Sequence, residues 1–380
     1  MKHETALTHA RIVLADGEID GTVVLSGGRI SRVEEGQSAL PRAEDLEGDI
    51  LIPGLVELHT DNLEGHLAPR PGVVWPTFPA LMAHDGQVSA AGITTVFDAL
   101  RIGDRHTETY RLDRVRETVG QIAEAQAHGL LRAEHLLHLR CEVSTENVLE
   151  HFESLREEPL LRIVSLMDHT PGQRQFVNVG TFRTYYKGRY KLNDAEVDQL
   201  IVGLTDDHHR YAFRNRLRLA ETCREMSLRL ASHDDATEAH VEEAAGLGFS
   251  ISEFPTTLEA AQAAHRHGLT TVAGAPNVVR GSSHSGNVAA RELAAEGVLD
   301  ALSSDYVPVS LLHSVFVLHR DLGLALSDAI ATVSLNPARM VGLDDRGEIA
   351  PGLRADLVRV HVHEGTPVVR GVWREGQRIA

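Results

Sequence analysis

The stretch L-I-P-G-L-V-E-L-H-T-D-N-L-E, Leu51 to Glu64, decides the fold. It is an apolar, strand-like run that ends in a histidine and a carboxylate two residues apart. Alternation in a strand sends residues i and i+2 to one face, so His59 and Asp61 should project together. If the run opens a (β/α)₈ barrel, both reach the C-terminal mouth, where such barrels keep their chemistry. A single strand cannot complete a metal site, so other strands must bring the missing ligands.

Working outward from Leu51, apolar β runs alternate with helical patterns, the signature of βα units. The strands are expected near 56–60, 94–98, 136–142, 161–167, 228–233, 249–254, 270–274 and 301–305. Helices are expected over Pro79–Ala91, Leu112–Ala127, Asp194–Glu225, Ala236–Leu247, Leu258–His267, Ala289–Glu296 and Asp328–Val333. The interval 170–193 has no clear period and reads as a long irregular loop, a type that is usually functional. Short β runs before residue 52 and after residue 341 cannot bury a core separately. They are expected to join as one small sandwich. The expected architecture is therefore α/β: a TIM-like barrel over 53–340 with a composite β domain from 1–52 and 341–380.

At 380 residues, with 42% hydrophobic and 24% charged residues, the chain suits one barrel and a small accessory domain. A formal charge of −17 argues against binding to nucleic acid or to an anionic membrane surface. Any anionic substrate would therefore need local cations. No segment approaches the roughly 18 to 20 apolar residues of a membrane helix. The N-terminus lacks the apolar core of a signal peptide. Two cysteines, Cys141 and Cys223, neither in a CxxC pair, suit a cytoplasmic protein without thiolate zinc.

Metal-type ligands recur where strands end: His59 with Asp61, Glu142, His169 after Asp168, His233 before Asp234 and Asp235, and Asp305. Each has an ordinary reading. With 22 histidines, any one is more often a surface or hydrogen-bonded group. Aspartate after a strand is often a helix N-cap, as Asp234 or Asp235 could be. Recurrence at one end of successive strands favours a shared site. Imidazole and carboxylate donors suit zinc, manganese or iron, as one ion or two. The sixth strand, S-I-S-E-F-P, offers Glu253. Cations that could meet phosphate are Arg70, then Arg174, Arg183, Lys187 and Arg189 in the interval after His169. Arg280, Ser282 and His284 follow the seventh strand.

P-G-L-V-E-L-H, S-H-D, S-S-D and the closing L-N-P-A-R-M-V-G-L-D-D-R-G-E-I-A-P-G-L-R-A-D-L-V resemble the amidohydrolase superfamily. H-T-D-N-L-E-G-H-L-A-P-R-P-G-V-V-W-P, M-D-H-T-P-G-Q-R-Q-F, A-S-H-D-D-A-T, G-A-P-N-V-V-R-G-S-S-H-S-G-N and L-S-S-D-Y-V-P narrow the resemblance to the PhnM family. That family is the α-D-ribose 1-methylphosphonate 5-triphosphate diphosphatase of the carbon–phosphorus lyase pathway. The resemblance spans nearly the whole chain. It implies hydrolysis of the triphosphate to a 5-phosphate and pyrophosphate, with Asp305 as metal ligand and proton acceptor. It also implies a small anionic substrate and, by analogy with similar barrels, a homodimer. The first strand departs from the superfamily's H-x-H in carrying His59-x-Asp61. No lysine stands where a bridging one is usual, and either Glu142 or His169 could take that place. The alternatives are an amide or ring hydrolase of the deaminase kind, a diphosphatase for another nucleoside or sugar triphosphate, and a barrel without activity.

Overall fold

A computed structural model describes residues 4–40, 42–103, 112–282 and 287–380, with all their side chains except those of Arg189 and Tyr190. Eight parallel strands form the barrel sheet: Leu55–Thr60, Ile93–Ile102, Glu134–Glu142, Leu161–Met167, Arg229–His233, Ile251–Glu253, Thr270–Gly274 and Ala301–Ser303. They pair in sequence order. The first and last strands meet through a parallel bridge between Thr60 and Asp305. Each expected strand is found. His169 and His233 follow the fourth and fifth strands, as the sequence indicates.

The first strand is buried at every position, which is why L-V-E-L-H-T shows no apolar–polar alternation. One apolar cluster draws members from all eight strands, including Phe97, Leu136, Ile163, Ala231, Ile251, Val272 and Ala301. Such a layer makes a barrel a packed core and not a pore. Two residues beyond Ala231 stands His233, two beyond Ile251 stands Glu253, and four beyond Ala301 stands Asp305. From Leu136 the same step gives His138, Arg140 and Glu142. The alternation that fills the core thus delivers polar groups to the mouth. On the first strand the register with the second shifts between Glu57 and Thr60, and His59 emerges on the cavity side.

Glu57 helps close the barrel. Its carboxylate accepts from the backbone N–H groups of His59 at 2.7 Å and Ser304 at 2.6 Å. Burial pushes its carboxyl up to about 7. Thr60 Oγ1 donates to the Asp305 carbonyl at 2.7 Å, and Ser303 Oγ donates to that of His59.

The two ends of the chain meet in one accessory domain, as expected, and its strands form one sheet. Glu4–Leu14, Gly17–Ser26, Arg29–Glu35 and Ile50–Pro53 join Leu357–His363, Thr366–Arg374 and Gln377–Arg378, with Glu44–Asp45 alongside. Ile50–Pro53 serves two cores. Leu51 packs with Leu7, Ile12, Leu357 and Trp373 inside the terminal sheet. Ile50 and Ile52 pack with Val358, Val360 and the barrel helix Ser310–Leu322. Gly54 makes the passage from this sheet to the barrel. A Cβ there would lie 2.3 Å from Thr94 Oγ1, so only glycine leaves room for the Thr94 side chain.

Two expectations for helices change. Asp194–Glu225 is a helix pair joined by a π-helical segment, with Asp194–Asp207, His208–Ala212 and Phe213–Glu225 in succession. The interval read as an irregular loop holds the 3₁₀ turn Arg174–Phe176 and the helix Val179–Tyr190. Asn178 caps that helix by accepting from Gly180 N. Phe182 anchors it, stacked on Tyr186 with ring centroids 4.1 Å apart. These aromatics brace the segment. No helix among the described residues is long and apolar enough to cross a membrane.

Candidate metal centre

A cavity of about 280 Å³ opens at the C-terminal ends of the barrel strands. His59, Asp61, His169, His233 and Asp305 line it, joined by Arg140, Gln175, Asp234, Phe254, Asn277, Asn287 and Tyr306. The strands therefore bring together five of the six ligand candidates, contributed by the first, fourth, fifth and eighth strands.

Each cavity histidine rests its Nδ1 on a buried carboxylate. Glu253 spans two of them, with Oε1 2.7 Å from His59 Nδ1 and Oε2 2.8 Å from His233 Nδ1. Glu142 lies 2.6 Å from His169 Nδ1 and also accepts from His169 N at 3.0 Å. Although burial opposes it, the histidines around Glu253 hold its carboxyl well below the usual range. It is thus an acceptor, and the imidazole Nδ1 atoms are the donors. Burial pushes His59 down to about 4, so its ring is neutral with an unprotonated Nε2. Imidazoles oriented in this way are the usual state of metal-ligating histidines.

Asp234 completes a close group. Its Oδ2 is 3.4 Å from His233 Nε2 and 3.9 Å from His169 Nε2. Potential ligand atoms of these three residues all lie within 4.8 Å of one another. Asp234 is not a helix cap, since Thr237 caps Glu238–Gly246. At the mouth, Asp234 at φ 57°, Phe254 at 54° and Asp305 at 54°, each just past the end of a barrel strand, take left-handed backbone conformations. Such strain persists where surrounding structure enforces it, commonly at functional sites. Here adjacent strands enforce it: Asp234 N donates to the Glu253 carbonyl and Phe254 N to that of Val272. Burial, then the charge of Asp61, raises the Asp305 carboxyl to about 7, while Arg140 and His233 oppose the rise.

Several sequence-based assignments need correction. Glu142 is not on the cavity wall; it holds His169, and Ser144 Oγ donates to it at 2.9 Å. His169 is thus the one of that pair that faces the cavity. Arg174 is buried against Asp235, with Glu243 at 3.4 Å, and serves as an internal ion pair. Arg183 pairs with Asp198, and Lys187 lies 2.7 Å from Asp194. Neither lines the cavity, because the following helix supplies partners of opposite charge. Arg70 is exposed in a turn bridged to Val73, away from the cavity wall. Arg280 ends the short helix Ala275–Arg280 and Ser282 follows it; both are exposed, while the beginning of that helix does line the cavity. The Arg189 side chain and His284 lie outside the described residues.

The sequence reading passed over Arg140, Gln175, Asn277, Asn287 and Tyr306. For Arg140 the signal was present. It stands two residues before Glu142, in phase with it on the third strand. Gln175 and Asn277 sit in helical turns too short to show a period, and Asn287 and Tyr306 sit outside helices and strands.

Residues 190–380 match the model of the Amidohydrolase family, and the chain belongs to that family. A relative from Escherichia coli (strain K12), alpha-D-ribose 1-methylphosphonate 5-triphosphate diphosphatase, is 46% identical over 375 residues, covering 98% of this chain and 99% of the relative. This is a full-length match to the PhnM diphosphatase family within the amidohydrolases. Among solved structures, N-acetyl-D-glucosamine-6-phosphate deacetylase from Mycobacterium smegmatis aligns at TM-score 0.64 and 16% identity, covering 99% of both chains. The 5-methylcytosine deaminase from Klebsiella pneumoniae aligns at TM-score 0.62 and 17% identity, covering 100% of this chain and 98% of that one. These two likenesses concern the fold.

Proposed function

We propose that the protein hydrolyses α-D-ribose 1-methylphosphonate 5-triphosphate to the 5-phosphate and pyrophosphate, using divalent metal held in the barrel mouth. One observation carries the proposal. Three imidazoles, each fixed through Nδ1 by a carboxylate, share a cavity with Asp61, Asp234 and Asp305 in a chain 46% identical to that diphosphatase.

The donor set fits zinc, manganese or iron. The residues that would hold metal are His59, His169 and His233 through Nε2, with Asp61, Asp234 and Asp305 through carboxylate oxygens. When bound, a divalent ion lowers the pKa of water towards neutrality and polarises phosphoryl oxygens. The protein's own part is positional and proton-handling. Glu253 and Glu142 keep the imidazoles oriented. The Asp305 carboxylate takes the proton of the attacking water as the bridge between the α and β phosphates breaks, and the β–γ pair leaves as pyrophosphate. Arg280, on the rim three residues beyond Asn277, is a candidate for the outer phosphates. The reading includes a cytoplasmic location.

Phosphorus NMR of the protein with a ribose 5-triphosphate and manganese or zinc tests this. Pyrophosphate appearing in step with the 5-phosphate supports it. Orthophosphate alone, or no turnover with metal bound, rejects it.

A further inference from the structure

We infer that Arg140 is the residue that grips the phosphoryl group at the reacting end of the substrate. Three observations converge on it. Its side chain lines the metal cavity beside His59, His233 and Asp305, and among the described residues on that wall it is the one arginine or lysine. It is only 15% exposed, with Nη1 3.8 Å from Asp61 Oδ2. Its Nε is buried and has no hydrogen-bond partner in the structure.

A buried guanidinium N–H without a partner is destabilising unless something returns the lost hydrogen bond. The carboxylate nearby does not do so, since 3.8 Å exceeds hydrogen-bond distance. The arginines that follow His169 in sequence and could have met an anion are paired elsewhere. Arg174 is locked to Asp235, and Arg183 to Asp198. Arg140 keeps its donors for a ligand.

Guanidinium presents planar, paired N–H groups that match phosphate oxygens two at a time. On the cavity wall beside Asp61, it would neutralise charge on the phosphoryl group under attack. It would also oppose the repulsion between that group and the surrounding aspartates. This inference rests on the diphosphatase reading, but its test can be read separately.

The probe is ribose 5-phosphate, which keeps the phosphoryl group that is attacked, titrated calorimetrically into the metal-loaded protein, with metal content measured in every sample. Arg140→Gln should weaken ribose 5-phosphate binding by roughly 10- to 100-fold while metal content stays at the wild-type level. Arg140→Lys should fall between the two, and guanidinium added at millimolar concentration should partly restore turnover to Arg140→Ala. Wild-type affinity in the Gln variant would overturn the inference. So would joint loss of metal or fold in the Gln and Lys variants, which would make Arg140 a brace for Asp61. If wild type releases no pyrophosphate from the triphosphate, the substrate reading fails whatever the Arg140 series shows.

Discussion

The barrel holds two carboxylate–histidine networks that look alike on paper and differ in what they leave free. At the mouth, Glu253 spans His59 and His233. Deeper, Asp98 spans His84 and His135, with Oδ1 2.8 Å from His84 Nε2 and Oδ2 2.7 Å from His135 Nδ1. Both groups are buried; His84, Asp98 and His135 have metal-ligand spacing, as do His59 and Glu253 with His138, and His169, His233 and Asp234, at the mouth. In the deep network the outer nitrogens are engaged as well. Asn62 Nδ2 donates to His84 Nδ1 at 3.0 Å, and Asp85 takes His135 Nε2 at 3.4 Å. Asp85 in turn receives Arg132 N and Ala133 N. At the mouth, the outer nitrogens face a cavity lined with aspartates. A cluster of ligand-type residues becomes a metal site only where lone pairs remain, and the deep network has none to offer.

The two networks should therefore answer substitution differently. The largest effect is expected at Asp305. Asp305→Asn should lower turnover by about 10²- to 10⁴-fold with an unchanged circular dichroism spectrum, and near-normal turnover would remove it as proton acceptor. Next comes the deep network. Asp98→Asn leaves a buried imidazolium without its counter-charge and should cost about 3 kcal/mol of stability. Metal content should hold, so loss of metal at unchanged stability would erase the distinction. Glu253→Gln is the mirror case. It should weaken metal affinity about 10- to 100-fold, seen by competition with a chelating dye, with a smaller change in unfolding midpoint.

The smallest effect is a pH dependence. Burial alone would push His135 down, but Asp98 and Asp85 overrule it and raise it to about 9. A histidine raised in the folded state lends stability fully below its unfolded value, about 6.5. That stability is lost as pH climbs through the folded value. The unfolding midpoint should then decline between about pH 6.5 and 9, and His135→Gln should flatten this decline. An equal slope in both proteins would show that another group carries it.

Much of the barrel was legible because parallel strands buried on both faces leave apolar runs, and Leu55–Thr60 or Leu161–Met167 stand out from the helices between them. The terminal sheet was legible through its Gly-punctuated β runs. Val179–Tyr190 was not, since its glycines and tyrosines carry no helical stripe and its order comes from Phe176 and Phe182 packing inside the segment. At the site, strand-end position found His59, Asp61, His169, His233 and Asp305. Residue type could not reveal pairing, so Arg174, Arg183 and Lys187 read as free cations until Asp235, Asp198 and Asp194 were seen beside them. Free cations in that interval would have favoured a phosphate substrate over a ring amide. That discrimination now falls to Arg140 and to full-length similarity.

Crystals soaked in manganese or zinc, with anomalous scattering recorded at the metal edge, give the most direct test. A peak about 2 Å from imidazole Nε2 atoms at His59, His169 or His233, with none between His84 and His135, is the expected map. A metal seated in the deep network, or a mouth without one at saturating concentration, would contradict the division between these two clusters.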